Sequence, residues 1–314
     1  MITTADYHTA GEPFRIVTGG VRPLDGETIL AKRGDALEHL DHVRRLLVHE
    51  PRGHADMYGC FVTEPEDDGA DLGVVFFHNE GYSTACGHGT IALVTWALET
   101  GRLAGDEVVV DAPSGRLRCV ARRRGDRVES VRFRNVPSFV LAEGVRIGEL
   151  ELDVAFGGAF YGLLDVAALG LDVAPRHLPR LIELQRELRP ALDAALDVVH
   201  PLEPELRGIY GVVFHQGDRN VTVFANGEVD RSPCGSGTSA RLALLHAQGR
   251  IAVGEPFRHR SIVDTEFVGR VVEEAELAGR AAVVTEIEGS AFATGRHEFV
   301  IDPDDPLGEG FLLR

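Results

Sequence analysis

CGHGTIALVTWALETGRLA, residues 86–104, returns in altered form as CGSGTSARLALLHAQGRIA at residues 234–252. The Cys, both Gly, the Thr, one Ala and a closing Gly-Arg-x-Ala stay in register. In each copy a Cys-Gly-x-Gly-Thr turn opens a run of apolar residues that ends at a glycine, Gly101 or Gly249. Apolar residues on nearly every face of IALVTWALETGRL predict a helix that belongs in the middle of a domain, and the glycine is its stop signal. Strand-like runs bounded by Gly, Pro or Asp precede each copy: RIVTGG, GCFVTEP and DLGVVFFHNEG before the first, GIYGVVFHQ and RNVTVFANG before the second. The chain therefore reads as a duplicated α+β unit.

Its 314 residues suit two domains of about 150 residues each, the division the repeat also suggests. The stretch GDRVES (125–130) is the expected crossing between them. Outside the cassettes, DALEHLDHVRRLLVHEP (35–51) spaces Leu and Val at helical intervals and stops at Pro51, and LPRLIELQRELRPALDAALDVVHP (178–201) reads as a long helix on the outside of the second half. Lys32, the single lysine of the chain, precedes the first of these on what reads as a surface helix and its lead-in. A pyridoxal phosphate Schiff base would have to form there, which argues against that chemistry.

With 44% hydrophobic and 26% charged residues the chain is ordinary globular protein able to bury two cores, while a net charge of −17 disfavours nucleic acid or an anionic membrane surface as partner. MITTADYHTAGEP has no basic region followed by an apolar stretch and no run approaches the length needed to cross a bilayer, so the cytoplasm is the expected location. Four cysteines are too few for a disulfide scaffold. Cys60 and Cys119, each inside a strand-like run, read as small buried residues.

Four readings compete for the cassette. A tight strand-to-helix turn built of small residues is the plainest. Nucleotide binding fits the loose G-x-G-x-x-A spacing of 87–92 and 235–240, but the loops follow HNEGYSTA and GEVDRSP rather than an apolar strand, and no Walker lysine exists. A metal site is poorly served by HEPRGH (49–54), whose Pro and spacing spoil the zinc-helix geometry, and a Cys86–His88 hydrolase would leave the second copy idle. The fourth reading uses both copies: inversion at a carbon bearing a carboxylate needs a base on one face and an acid on the other. A thiol at a helix start, its pKa lowered by N–H groups, can serve as either, and the glycines let amides approach the carboxylate.

HTAGEPFRIV (8–17), EPRGHADMYG (50–59), HNEGYSTACGHGTIA (78–92), GGAFYG (157–162), DRSPCGSGTSAR (230–241) and DPLGEGFLLR (305–314) resemble the proline racemase family over essentially the whole chain. The resemblance implies a diaminopimelate-epimerase-like α+β fold of two pseudo-symmetric domains, each a mixed sheet curled around a central helix, with the active site in the cleft between them. The expected domains are 1–127 with 296–314, carrying Cys86, and 128–295, carrying Cys234. Cys86 and Cys234 would be base and acid, Gly87, His88, Gly235 and Ser236 would bind the substrate carboxylate side, and Asp230 would hold the ring nitrogen. No cofactor and no metal is implied. The partner is a small imino acid, and a homodimer is left open. The wider motifs look most like trans-3-hydroxy-L-proline dehydratases, which usually carry Thr where this chain has Cys234. A second thiol favours inversion of proline or hydroxyproline, with dehydration as the alternative and a non-catalytic imino-acid binding protein as the remote one.

Overall fold

The computed structural model describes residues 1–313 and divides by its internal contacts into two units, Met1–Val131 with Ser290–Arg314, and Arg132–Gly289. In the first unit the elements run β1 (Ile2–Thr9), β2 (Glu12–Gly19), α1 (Ile29–His39), α2 (Asp41–Val48), β3 (Tyr58–Thr63), β4 (Leu72–His78), β5 (Gly81–Tyr82), α3 (Gly87–Glu99), β6 (Glu107–Ala112) and β7 (Gly115–Arg124), with β8 (Arg127–Arg134) leading out. The second contains β9 (Phe139–Ile147), β10 (Leu150–Phe156), β11 (Phe160–Asp165), α4 (Leu178–Ala195), β12 (Ile209–Gln216), β13 (Arg219–Phe224), β14 (Glu228–Asp230), α5 (Gly235–Ala247), β15 (Phe257–Arg260), β16 (Glu266–Leu277) and β17 (Arg280–Gly289). Strand β18 (Ala291–Phe299) returns to the first unit, antiparallel to β1 from Ile2↔Phe299 to Thr9↔Ala291.

The duplication holds strand by strand. In the first unit β2 and β3 are parallel, β3–β4 and β4–β5 antiparallel, β4 and β6 parallel, and β6–β7 antiparallel. In the second, β11–β12, β12–β13, β13–β14, β13–β15 and β15–β16 repeat the same sequence of directions. Helix α3 follows β5 as α5 follows β14, so each cassette helix occupies the same place in a mixed sheet. Every residue of α3 from Gly87 to Leu98 is buried, and every residue of α5 from Gly235 to Leu245. Strands β1, β2, β3, β7 and β18 pack on α3, and β9, β10, β11, β16 and β17 on α5. A helix enclosed on all sides cannot be amphipathic. That is why the cassettes lack a polar stripe.

Four details differ from the sequence reading. The domain breaks are expected at 127/128 and 295/296, whereas the division by internal contacts falls at 131/132, also within β8, and at 289/290, which keeps β18, paired along its length with β1, in the first unit. The helix expected over 35–51 is two helices that meet at Leu40 (φ −119°, ψ 10°), and both pack on β4. The helix expected over 178–201 stops at Ala195, where Leu196 is extended. Lys32 is buried rather than on a surface, its Nζ donating to the carbonyls of Glu64 (2.6 Å) and Pro65 (3.3 Å).

Because α3 is packed from every side, trimming it cannot be relieved by collapse from solvent. Leu93, fully buried, is predicted to cost about 2–5 kcal/mol as Leu93→Ala, read from urea unfolding; a loss below about 1 kcal/mol would show that α3 is not packed this way.

Candidate active site

Both cassette thiols sit at the N-cap of their helix. Cys86 Sγ accepts the N–H of Gly89 at 3.3 Å, and Cys234 Sγ accepts that of Gly237 at 3.3 Å. A side-chain acceptor at this position satisfies one of the N–H groups that helix geometry leaves over. Behind each thiol a threonine ties the turn: Thr90 Oγ1 donates to Cys86 O at 2.9 Å and Thr238 Oγ1 to Cys234 O at 2.6 Å. Gly87 and Gly235 are the first helical residues, where backbone amides can meet an anion.

Around Cys86 the neighbours are an imidazole and aromatic rings. The His88 ring lies with Nε2 at 3.4 Å and Nδ1 at 3.6 Å from Sγ, edge-on to Tyr58 (ring centroids 5.0 Å) and Phe14 (5.7 Å). Burial lowers the His88 pKa from 6.5 to about 3, so the ring is neutral at physiological pH. Thr9 Oγ1 donates to the His88 carbonyl at 2.9 Å. A Cβ on Gly89 would stand 2.4 Å from the Phe14 ring and 2.7 Å from Cys86 Sγ, so only glycine allows this approach.

Around Cys234 they are hydroxyls and a carboxylate. Tyr161 Oη lies 3.8 Å from Sγ and 2.7 Å from Ser236 Oγ, which is itself 3.7 Å from Sγ. Asp230 is buried and accepts the Ser232 N–H at 2.8 Å; burial raises its pKa to about 6 against the pull of the Ser232 hydrogen bonds. Burial first, then the Asp230 charge, push the Cys234 thiol up to about 12, although the Gly237 N–H pulls the other way. The expected lowering of a cassette thiol therefore does not occur here: desolvation outweighs the helix start. The backbone differs too. Cys86 is extended (φ −150°), whereas Cys234 has φ 62°, a conformation unusual for a residue with a side chain.

The fold thus gathers Cys86, Gly87 and His88 at one helix start, and Cys234, Gly235, Ser236 and Asp230 at the other. Sequence reasoning missed Tyr161, which stands in GGAFYG, whose Gly157 explains the motif: a Cβ there would lie 2.1 Å from Ser236 O. Cys60 and Cys119 are buried in β3 and β7, where burial raises both thiols. Among the described residues no group of three or more His, Cys, Asp or Glu side chains could hold a metal ion, and no helix is long and apolar enough to cross a membrane.

The sequence model described as proline racemase matches residues 4–312. The chain belongs to the proline racemase family. It is 47% identical over 326 residues to the trans-3-hydroxy-L-proline dehydratase of Bacillus cereus, covering 99% of this chain and 98% of that one. To the 3-hydroxyproline 2-epimerase of Burkholderia multivorans it is 44% identical over 329 residues, covering 100% and 98%. The crystal structure of a hydroxyproline epimerase from Agrobacterium vitis, with bound trans-4-hydroxy-L-proline, superposes with a TM-score of 0.93 at 34% identity, covering 99% and 95%. The fold is that of the diaminopimelate-epimerase-like α+β proteins, and the chain is an enzyme of a family of racemases and epimerases in which dehydratases also occur.

In this proline racemase family member a neutral, buried His88 has a consequence for stability. Burial lowers its pKa from the ordinary 6.5 to about 3 in the folded chain, so its contribution is present above pH 6.5 and is lost as pH falls toward 3. His88→Asn is predicted to flatten the decline of urea-measured stability over that window by roughly 1.4 kcal/mol per pH unit; an unchanged slope would place a charged imidazole in the fold.

Proposed function

We propose that this enzyme inverts the α-carbon of proline or a hydroxyproline with two thiols, Cys86 and Cys234, and needs no cofactor for it. One observation carries the reading: the same thiol-on-helix construction is made twice, each Sγ accepting the amide three residues on at 3.3 Å. A single nucleophile or a nucleotide loop would have no use for the second copy. Membership of the family and the names of its relatives support the substrate class.

In one direction the Cys86 thiolate takes the α-proton. Its charge is met by the Gly89 N–H and by a neutral His88 ring that can donate without supplying a competing acid. The electron pair left on Cα spreads into the carboxylate, whose developing charge the amides of Gly87 and Gly235 would meet. Cys234, kept protonated by its burial, then delivers its proton to the opposite face and becomes the thiolate. The reverse reaction exchanges the roles. Asp230 holds the ring nitrogen, and Ser236 with Tyr161 bounds the Cys234 side.

The second reading is dehydration of trans-3-hydroxy-L-proline, favoured by the dehydratase name of the Bacillus cereus relative. There the base removes the α-proton, the 3-hydroxyl departs as water after protonation, and the product rearranges to pyrroline-2-carboxylate. Dehydration places no demand on the face where Cys234 stands, so the thiol favours inversion. A non-catalytic imino-acid binder is the third reading, and it would hold the planar mimic pyrrole-2-carboxylate while turning over none of the substrates.

Incubation with L-proline, trans-4-hydroxy-L-proline and trans-3-hydroxy-L-proline, followed by chiral chromatography and by trapping of cyclic imine with a carbonyl reagent, separates the three. Inverted product is expected. Cys86→Ser should lose it by about a hundredfold or more, and Cys234→Thr should lose inversion too while sparing any imine formation from the 3-hydroxy substrate. Full inversion by Cys86→Ser would overturn the proposal.

A further inference from the structure

The first unit holds a cavity of about 530 Å³ at the end of α3 away from Cys86, and the reaction does not use it. It opens where the parallel strands β2 and β3 stop, lined by Val17, Thr18 and Gly19 of the one and Phe61, Val62 and Thr63 of the other. Neighbouring parallel strands leave a crevice beyond their carboxyl ends, a place where sheets of this kind take ligands, and the volume is that of a small-molecule site. Trp96 and Arg102 close it from the helix side. Ten helical residues, about 15 Å, separate Trp96 from the thiol of Cys86.

The wall joins an apolar floor to charges of both signs. Val17, Leu24, Phe61 and Trp96 line it and are at most 8% exposed. Arg22 and Asp25 are paired with each other at 3.3 Å, and Arg22 also holds Asp35 at 2.8 Å. Three further charges in the wall join no ion pair among the described residues. Lys32, 5% exposed, gives two N–H groups to the carbonyls of Glu64 and Pro65, has a third to give and has no carboxylate within 4 Å. The exposed Arg102 guanidinium stands over the Trp96 ring at 5.6 Å with its N–H groups unused. The exposed Glu64 carboxylate has no hydrogen-bond donor.

A simple anion in this cavity would meet Lys32 and Arg102 but face Glu64, and a simple cation would face the two cations. An occupant carrying both charges on an apolar body complements the whole wall. We propose that the cavity binds a free α-amino acid with an apolar side chain, its carboxylate on Arg102 and Lys32, its ammonium on Glu64 and its side chain against Val17, Phe61 and Trp96. The site stands or falls independently of the reaction assigned to the thiols.

Trp96 is the single tryptophan of the chain, so its fluorescence reports on this cavity alone. The test is a fluorescence titration of the full chain at pH 7 with L-leucine, with 4-methylpentanoate, which lacks the ammonium, and with 3-methylbutylamine, which lacks the carboxylate. Each series is run with and without pyrrole-2-carboxylate. The expected result is a saturating change with L-leucine that persists with pyrrole-2-carboxylate present, and binding weaker by about tenfold or more for both analogues. Arg102→Gln and Glu64→Gln, both at exposed positions, should each raise the L-leucine dissociation constant by about tenfold. The constant is compared and not the amplitude, because removing Arg102 changes the surroundings of the indole. No saturable change, equal binding of an analogue, loss of the change with pyrrole-2-carboxylate, or an unaltered constant in either variant would overturn the site.

Discussion

The hydrogen bond from a helical amide to the thiol three residues before it is the contact on which the two halves of this protein are built. It caps a helix that is enclosed by strands along its sides, so only the N-terminal end is left to carry polar chemistry. The amide gains an acceptor it would otherwise lack, and the sulfur gains a donor that steadies a thiolate when one forms. The residues around the bond follow from it. Gly89 must have no side chain because Phe14 and the sulfur already occupy the space, and Gly157 must have none because Ser236 O does. The threonine hydroxyls pull the Cys carbonyls into the helix, completing each cap.

What separates the halves is the company each sulfur keeps. Cys86 faces a neutral imidazole wedged between two aromatic rings; Cys234 faces two hydroxyls and lies within the field of a buried carboxylate. On the proposed mechanism the acid/base pair cannot have both members in the same protonation state at the moment of reaction, and unlike surroundings are how one construction, used twice, would yield two roles. The φ of 62° at Cys234 sets that thiol in a different attitude from its twin. Conformations of this kind in a non-glycine residue persist where the surroundings enforce them, and here, beside the helix-start bonds that both cysteines make, the Cys234 N–H donates to Ser232 Oγ at 3.1 Å.

The cassettes were legible because a buried helix entered through small residues leaves a strong text: Cys, Gly, Gly and Thr at fixed offsets and apolar residues thereafter. The duplication of an α+β unit followed from the repeat. Other features left no local trace. Nothing in CGSGT distinguishes its left-handed cysteine from the extended one in CGHGT; the bond from the Cys234 N–H goes to Ser232 Oγ, outside the pentapeptide. Tyr161 reaches Cys234 across 73 positions of sequence, through a strand pairing that a linear reading cannot see. Lys32 looked solvated by its residue type, yet the carbonyls of Glu64 and Pro65 hold it inside. The two helices read as one because the break at Leu40 falls between His39 and Asp41 without interrupting the helical spacing of Leu and Val, and no proline or glycine announces it.

The division of labour between two thiols is tested most directly by following the α-hydrogen in heavy water at early times. With separate acid and base, each molecule of inverted product should carry solvent deuterium at Cα while unreacted substrate keeps protium. Protium carried over from substrate into the inverted product would mean that one group serves both faces, and would contradict the account.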